Sequence, residues 1–121
     1  KAFTVSFLVD AKDKLIEPIY ALTIKDAKGQ QIYGQNTRFA NVSVEDLRKG
    51  DQSTIIFTQR CNLGAGDYFI SLGVTRFEGD SLQVIHRRYD ALELKVINTD
   101  GSFGIANCYS KVEMKNISVT P

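Results

Sequence analysis

The densest group of chemistry-bearing side chains is His86-Arg87-Arg88-Tyr89-Asp90, which contains the only histidine of the chain. A histidine beside an aspartate suits acid-base work. No serine or cysteine sits in a nucleophile elbow, however, and no second histidine or carboxylate cluster has metal-ligand spacing. Catalysis is poorly supported and no cofactor is implied. Arg87 and Arg88 equally suit a solvated strand edge, where charge discourages edge-to-edge aggregation. A second polar group is Tyr33-Gly34-Gln35-Asn36-Thr37-Arg38, the exit of an apparent hairpin. Hairpin mechanics do not require this exit. Its side chains either cap neighbouring backbone or present donors and acceptors to a ligand.

A third pattern, Leu63-Gly64-Ala65-Gly66-Asp67-Tyr68, has the spacing of a tyrosine corner, in which the hydroxyl folds back onto the backbone a few residues upstream. That reading makes Tyr68 architectural, against the alternative that its ring stacks on a ligand. Phosphate chemistry lacks its usual carriers: no G-x-x-x-x-G-K-[ST] occurs, and Gly64-Ala65-Gly66 has no following helix to aim amides at an anion. Nucleic-acid binding would need a basic stripe with interleaved aromatics, and only residues 86–89 offer a short one.

The elements that must position these groups read as short strands at residues 3–9, 19–25, 30–33, 53–59, 68–75, 82–86, 91–97 and 105–114. Turn chemistry separates nearly all of them, for example Lys28-Gly29, Lys49-Gly50-Asp51, Glu78-Gly79-Asp80 and Thr99-Asp100-Gly101. This is the rhythm of an all-β antiparallel sandwich. Alternation assigns Val5, Phe7, Val9, Tyr20, Leu22, Ile24, Ile55, Phe57, Tyr68, Ile70, Leu72 and Val74 to the core. Leu8, Ile56, Phe69 and Phe77 fall in the opposite phase, which makes Phe69 and Phe77 candidate exposed aromatics. One helical turn is expected at residues 43–48, with Ser43 as N-cap and Gly50 beyond its end.

The 121 residues suit a single domain spanning 1–121, and a chain of that size buries about two-thirds of its unfolded surface. Charged residues make up 24% and the net charge is +1, so no broad field draws the protein to nucleic acid or an anionic membrane. No apolar run approaches the roughly 20 residues needed to span a bilayer. The chain opens Lys1-Ala2-Phe3 without an initiator methionine, as a fragment or processed product would. With no tryptophan and only Cys61 and Cys108, a true antibody-type domain is disfavoured, and two reduced thiols are favoured over a disulfide. The sequons Asn41-Val42-Ser43 and Asn116-Ile117-Ser118 carry almost no weight.

Three groups of motifs occur in a telling order: Ile24-Lys25-Asp26, Lys28-Gly29 and Tyr33-Gly34-Gln35-Asn36-Thr37; then the run Cys61-Asn62-Leu63-Gly64-Ala65-Gly66-Asp67-Tyr68-Phe69-Ile70-Ser71-Leu72-Gly73-Val74; then Tyr89-Asp90-Ala91-Leu92-Glu93-Leu94-Lys95-Val96 and Gly104. Over residues 3–114 the ordered set resembles the Wzt carboxy-terminal domain family. That resemblance implies an immunoglobulin-like β-sandwich, similar to a carbohydrate-binding module, attached behind the ATP-binding domain of bacterial ABC exporters of lipid-linked O-antigen. It implies no enzymatic activity in this segment and a cytoplasmic place beside the inner membrane. The implied partners are an upstream nucleotide-binding domain, a transmembrane exporter subunit and a polysaccharide recognised at its finished, often capped, non-reducing end. It also implies a homodimer that exchanges its last strand, here residues 105–114 behind the polar hinge 98–102.

A neutral polysaccharide offers hydroxyls and C–H faces, so its site needs exposed rings with amide, hydroxyl and guanidinium groups. Strand phase and loop position select Tyr33, Gln35, Asn36 and Arg38, with Phe69, Arg76, His86 and Arg88 nearby; the resemblance adds Thr37 beside Asn36. Two other readings remain open at this point: a sandwich that only dimerises its parent protein, and a secreted carbohydrate-binding accessory domain, which would carry a Cys61–Cys108 disulfide.

Overall fold

The computed structural model describes residues 2–117, so Lys1 and the last residue of the second sequon, Ser118, lie outside it. Six strands form in chain order: β1 (Ala2–Asp10), β2 (Ile19–Asp26), β3 (Gln31–Asn36), β4 (Gln52–Arg60), β5 (Gly66–Glu78) and β6 (Ser81–Val96). β1 and β4 pair as a two-stranded antiparallel sheet, and the other four make an antiparallel sheet in the order β3-β2-β5-β6. The two sheets form the sandwich that period-two alternation predicts.

The core follows from that alternation. Val5 and Val9 from β1, Tyr20, Leu22 and Ile24 from β2, and Tyr68, Ile70 and Val74 from β5 are buried. Leu22 and Ile70, among the most deeply buried, each contribute on the order of 1.5–3 kcal/mol from side-chain burial. Phe7 and Ile55 pack at the edge of one cluster and Phe57 and Leu72 at the edge of the other. Leu8 and Ile56, in the opposite phase, are exposed at 60% and 63%.

The β2–β3 turn is built by Asp26. Its Oδ1 accepts from the amides of Lys28 and Gln30, both at 2.9 Å, and Gly29 takes a φ of 88° that a side chain would resist. The tyrosine corner is present: the buried Tyr68 hydroxyl donates to the Gly64 carbonyl at 2.8 Å. Beside it, Gly64 approaches a later segment so closely that an added Cβ would meet the Gly104 carbonyl oxygen. That approach lets Leu63 bridge to Ala106, with Gly64 N donating to Ile105 O and Asn107 N to Asn62 O, each at 2.7 Å.

The structure corrects four expectations. Residues 43–48 form no helical turn, because Leu47 is drawn into the core and exchanges both backbone hydrogen bonds with Leu15, at 2.8 and 2.9 Å. The polar exit of the hairpin is strand as far as Asn36, held by pairing with Ala21. Residues 86–90 do not connect two strands but lie inside the single strand β6. Asp90 is accommodated there at a φ of 51°, its amide donating to Ser71 Oγ at 3.0 Å. Residues 105–114 form no strand within the chain beyond the bridge at Ala106. After the Asn107 N to Asn62 O bond and the Tyr109 hydroxyl's bond to Cys61 O, nothing among the described residues pairs with the segment, and Val112 and Met114 stand 85% and 80% exposed.

Candidate functional site

Eight of the nine residues selected from the sequence are distributed over three surfaces, and the ninth, Arg76, stands apart from them. The first is the outer face of the four-stranded sheet, whose membership follows from register. Antiparallel partners share a face, so Lys25 with Phe69, Thr23 with Ser71, Ala21 with Gly73, and Gly34 opposite Thr23 all lie on the side away from Leu22 and Ile70. On β6, Glu93 opposite Phe69 and Arg87 opposite Gly73 belong to the same face. The result is a low floor of small side chains with taller groups around it.

Those taller groups are organised. The Arg87 guanidinium lies 5.8 Å from the Tyr89 ring centroid and Arg87 Nη1 donates to the Tyr89 hydroxyl at 3.2 Å. Gly73, opposite Arg87, keeps the floor low; an added Cβ there would meet His86 O and Arg87 Nε only at ordinary contact distance, 3.8 and 4.0 Å. Lys25 Nζ pairs with Asp90 Oδ1 at 3.0 Å, joining β2 to β6 across β5. This half-exposed pair contributes at most about 1 kcal/mol to stability and chiefly fixes the two charges in place. Toward the other end of the sheet, Arg38 stacks over the exposed Phe77 ring at 4.4 Å. Of the expected residues, this face therefore carries Phe69 and Arg38. Phe69, expected to be exposed, is half-buried, flanked by Lys25 and Glu93 on the adjoining strands.

The second surface is a cleft of about 700 Å³ where β3 and β4 face each other without pairing. Tyr33 and Gln35 line it, since pairing with Ile24 and Leu22 turns them toward the space between the sheets. Asn36 and Thr37 also border it, but each has a structural partner. Asn36 Oδ1 accepts from the Phe39 amide at 2.8 Å, and the buried Thr37 Oγ1 accepts from the Tyr20 amide at 3.1 Å. The third surface is a groove of about 540 Å³ beside the free edge of β1, where His86 and Arg88 sit opposite Val74 and Leu72. Arg76 lies with none of these groups. It is held at the β5–β6 hairpin by Glu78 at 3.8 Å and Gln83 at 3.5 Å, and its Nε is buried without a hydrogen-bond partner.

Sequence reasoning selected His86 and Arg88 rather than Arg87 and Tyr89, although all four belong to one motif. The available signal was the i, i+2 spacing of Arg87 and Tyr89, which places both on one side of a strand. Reading it required knowing that residues 86–90 are strand. Among the described residues, no group of three or more His, Cys, Asp and Glu is arranged to hold a metal ion. Cys61 and Cys108 are free thiols, and the Tyr109 hydroxyl donates to the Cys61 carbonyl at 2.6 Å.

The family model described as the Wzt C-terminal domain matches residues 1–108. Among solved structures, a crystal structure of the C-terminal domain of Wzt superposes with a TM-score of 0.85 at 21% identity, covering 95% of this chain and 71% of that one. At this identity the likeness establishes the fold. No curated protein sequence matches the chain.

Proposed function

The chain belongs to the Wzt C-terminal domain family, and from that premise we propose that it is a non-catalytic carbohydrate-binding module that docks a polysaccharide on the outer face of its four-stranded sheet. The observation that carries this reading is the Arg87–Tyr89 pair. Tyr89 is 67% exposed in the middle of a strand, yet it is held by a guanidinium above a floor of Ala21, Thr23, Ser71 and Gly73. A pre-ordered ring beside a flat floor suits the C–H face of a sugar, and fixing it in advance lowers the ordering cost of binding. Arg87 beside it, with Lys25, Asp90 and Glu93 further along the same face, gives that face donors and acceptors of both signs, which suits hydroxyls better than a single charge.

In finer terms, the ligand is an O-antigen glycan recognised at its capped non-reducing end. The module serves an ABC exporter on the cytoplasmic side of the inner membrane, behind a nucleotide-binding domain and beside a transmembrane subunit. Among the described residues no helix is long and apolar enough to cross a membrane. Titration of the polysaccharide against wild-type chain, Tyr89→Ala and Arg87→Ala tests the placement, with Lys28→Ala in the β2–β3 turn as a control. Tyr89→Ala is expected to weaken binding roughly tenfold, equivalent to about 1.4 kcal/mol, and Lys28→Ala to leave it unchanged. Equal affinity in all four proteins would exclude this face.

A second reading, that the module dimerises its parent by strand exchange, is favoured by a separate observation. Among the described residues β1 and β4 each keep one unpaired edge, while residues 110–117, in which exposed Val112 and Met114 alternate with Lys111, Glu113 and Lys115, pair with none of the described strands. An open edge and a spare strand-like segment are complementary. Light scattering on the full chain and on a chain ending at residue 109 should give a dimer and a monomer respectively. A truncated chain that stays dimeric would exclude exchange of this segment.

A further inference from the structure

Two residues that line the cleft between β3 and β4 each carry a buried polar atom with no hydrogen-bond partner among the described residues. Tyr20 is 2% exposed and its hydroxyl makes no hydrogen bond among the described residues; Gln59 Nε2 is likewise buried and unpartnered there. Both residues line this one cleft. Buried polar groups in native proteins are almost always satisfied, so two unpaired donors in one opening point to a ligand. We propose that the cleft is a second binding site, which takes a neutral polyhydroxylated ring, a single sugar unit of the glycan chain. The inference rests on the glycan reading for the class of its ligand.

The chemistry of the walls selects that class. Tyr20 and Gln59 both offer donors, so the ligand must bring acceptor oxygens to the depth of the cleft. Glu45 at the rim accepts a donor, and among the described residues no Lys, Arg or His lines the opening. An anion would meet a carboxylate with no cation to offset it, and a cation would leave both buried donors unused. A sugar hydroxyl both accepts and donates. The partly exposed Tyr33 ring offers an apolar surface to C–H groups, with the Gln35 amide beside it. The volume, about 700 Å³, falls within the range usual for small-molecule sites.

A strand from a second copy is the competing occupant, because β4 has a free edge here. Such a strand would pair with the main chain of β4. Gln59, in contrast, shares the inward phase of Ile55 and Phe57, and Tyr20 the inward phase of Leu22, so their polar groups belong to the space between the sheets rather than to the plane of strand pairing.

The test is an amide NMR titration of the isotopically labelled chain with the methyl glycosides of glucose, mannose and galactose at millimolar concentration, and with methyl glucuronide as the anionic probe. At least one neutral glycoside is expected to shift the amides of residues 33–36 and 53–59, and the glucuronide is not. Tyr20→Phe and Gln59→Leu should each weaken that binding at least fivefold while leaving the thermal midpoint unchanged or raised, a combination that a purely structural role would not produce. Tyr89→Ala should leave the cleft shifts intact, which separates this site from the outer face: loss of polysaccharide binding in Tyr89→Ala with cleft shifts retained supports both sites. Absence of cleft shifts with every neutral glycoside overturns the inference, as does equal binding of the glucuronide or wild-type affinity in both cleft variants. Cleft shifts that follow protein concentration and vanish on removal of residues 110–117 would assign the cleft to a partner strand and overturn it equally.

Discussion

Two tyrosines of the core differ in one respect that a single atom can test. Tyr68 and Tyr20 are both buried, but the Tyr68 hydroxyl donates to the Gly64 carbonyl at 2.8 Å and the Tyr20 hydroxyl bonds to nothing among the described residues. Tyr68→Phe keeps the ring and its apolar burial, removes the donor and leaves a buried carbonyl short of a partner, which costs about 1–3 kcal/mol. For a domain of this size each kcal/mol moves the thermal midpoint by roughly 4 °C, so a fall of roughly 4–12 °C is expected. Tyr20→Phe removes an oxygen already desolvated without compensation, and the midpoint should stay or rise by up to about 4 °C. Circular dichroism melts of the two variants at one fixed protein concentration make the comparison, since any association would shift both midpoints. Burial also pushes both phenols above the ordinary 10.0, Tyr68 further through the nearby charges of Cys61 and Asp26. The unfolded chain therefore ionises first, so stability that is complete below pH 10 is lost as pH rises toward the folded values. Each Phe variant should flatten that alkaline loss. A Tyr20→Phe variant that melts as low as Tyr68→Phe, or a silent Tyr68→Phe, would refute the assigned difference between the two hydroxyls.

Two further outcomes follow from the segment after β6. Asp100 is held below its ordinary 3.8 by hydrogen bonds from Ser102, side chain first and then backbone, and from the Asn107 side chain. Its contribution is therefore present above pH 3.8 and disappears as pH falls through the lower folded value; a carbon-detected NMR titration should find the midpoint below 3.8 and find it raised toward 3.8 in Asn107→Ala. Gly64→Ala would force a Cβ into the Gly104 carbonyl, so it should break the Leu63–Ala106 bridge and free residues 105–109, seen as faster amide exchange at Asn107; exchange as slow as in wild type would contradict the close approach.

Much of the sandwich could be read from local pattern because a strand's two faces are written in its own residues. Val5 and Val9, Leu22 and Ile24, and Ile70 and Val74 are inward wherever their strands pair, provided one face meets a core. The Asp26–Gly29 turn and the Tyr68 corner are local for the same reason: donor, acceptor and permissive glycine lie within five residues. Residues 43–48 carry helix-start signals yet form no turn, because Leu47 answers to Leu15, a partner that no local window contains. The candidate site was the least legible part. Phe69 and Arg38 fall on the outer face, but Arg87 and Tyr89 were passed over for His86 and Arg88, and the unpartnered Tyr20 hydroxyl has no signature in sequence.

By itself, then, the sequence determined the all-β class, the inward set of most strands, the corner and the family, all of which depend on period-two alternation or on residues a few positions apart. Tertiary structure alone decided which side of β6 faces outward, because that phase is reset where the β5–β6 pairing shifts register between Ile70 and Leu72 and between Val74 and Thr75. It alone also decided that β3 and β4 face each other unpaired. Whether two strands meet is set by the packing of the whole sandwich, and neither strand's residues record it.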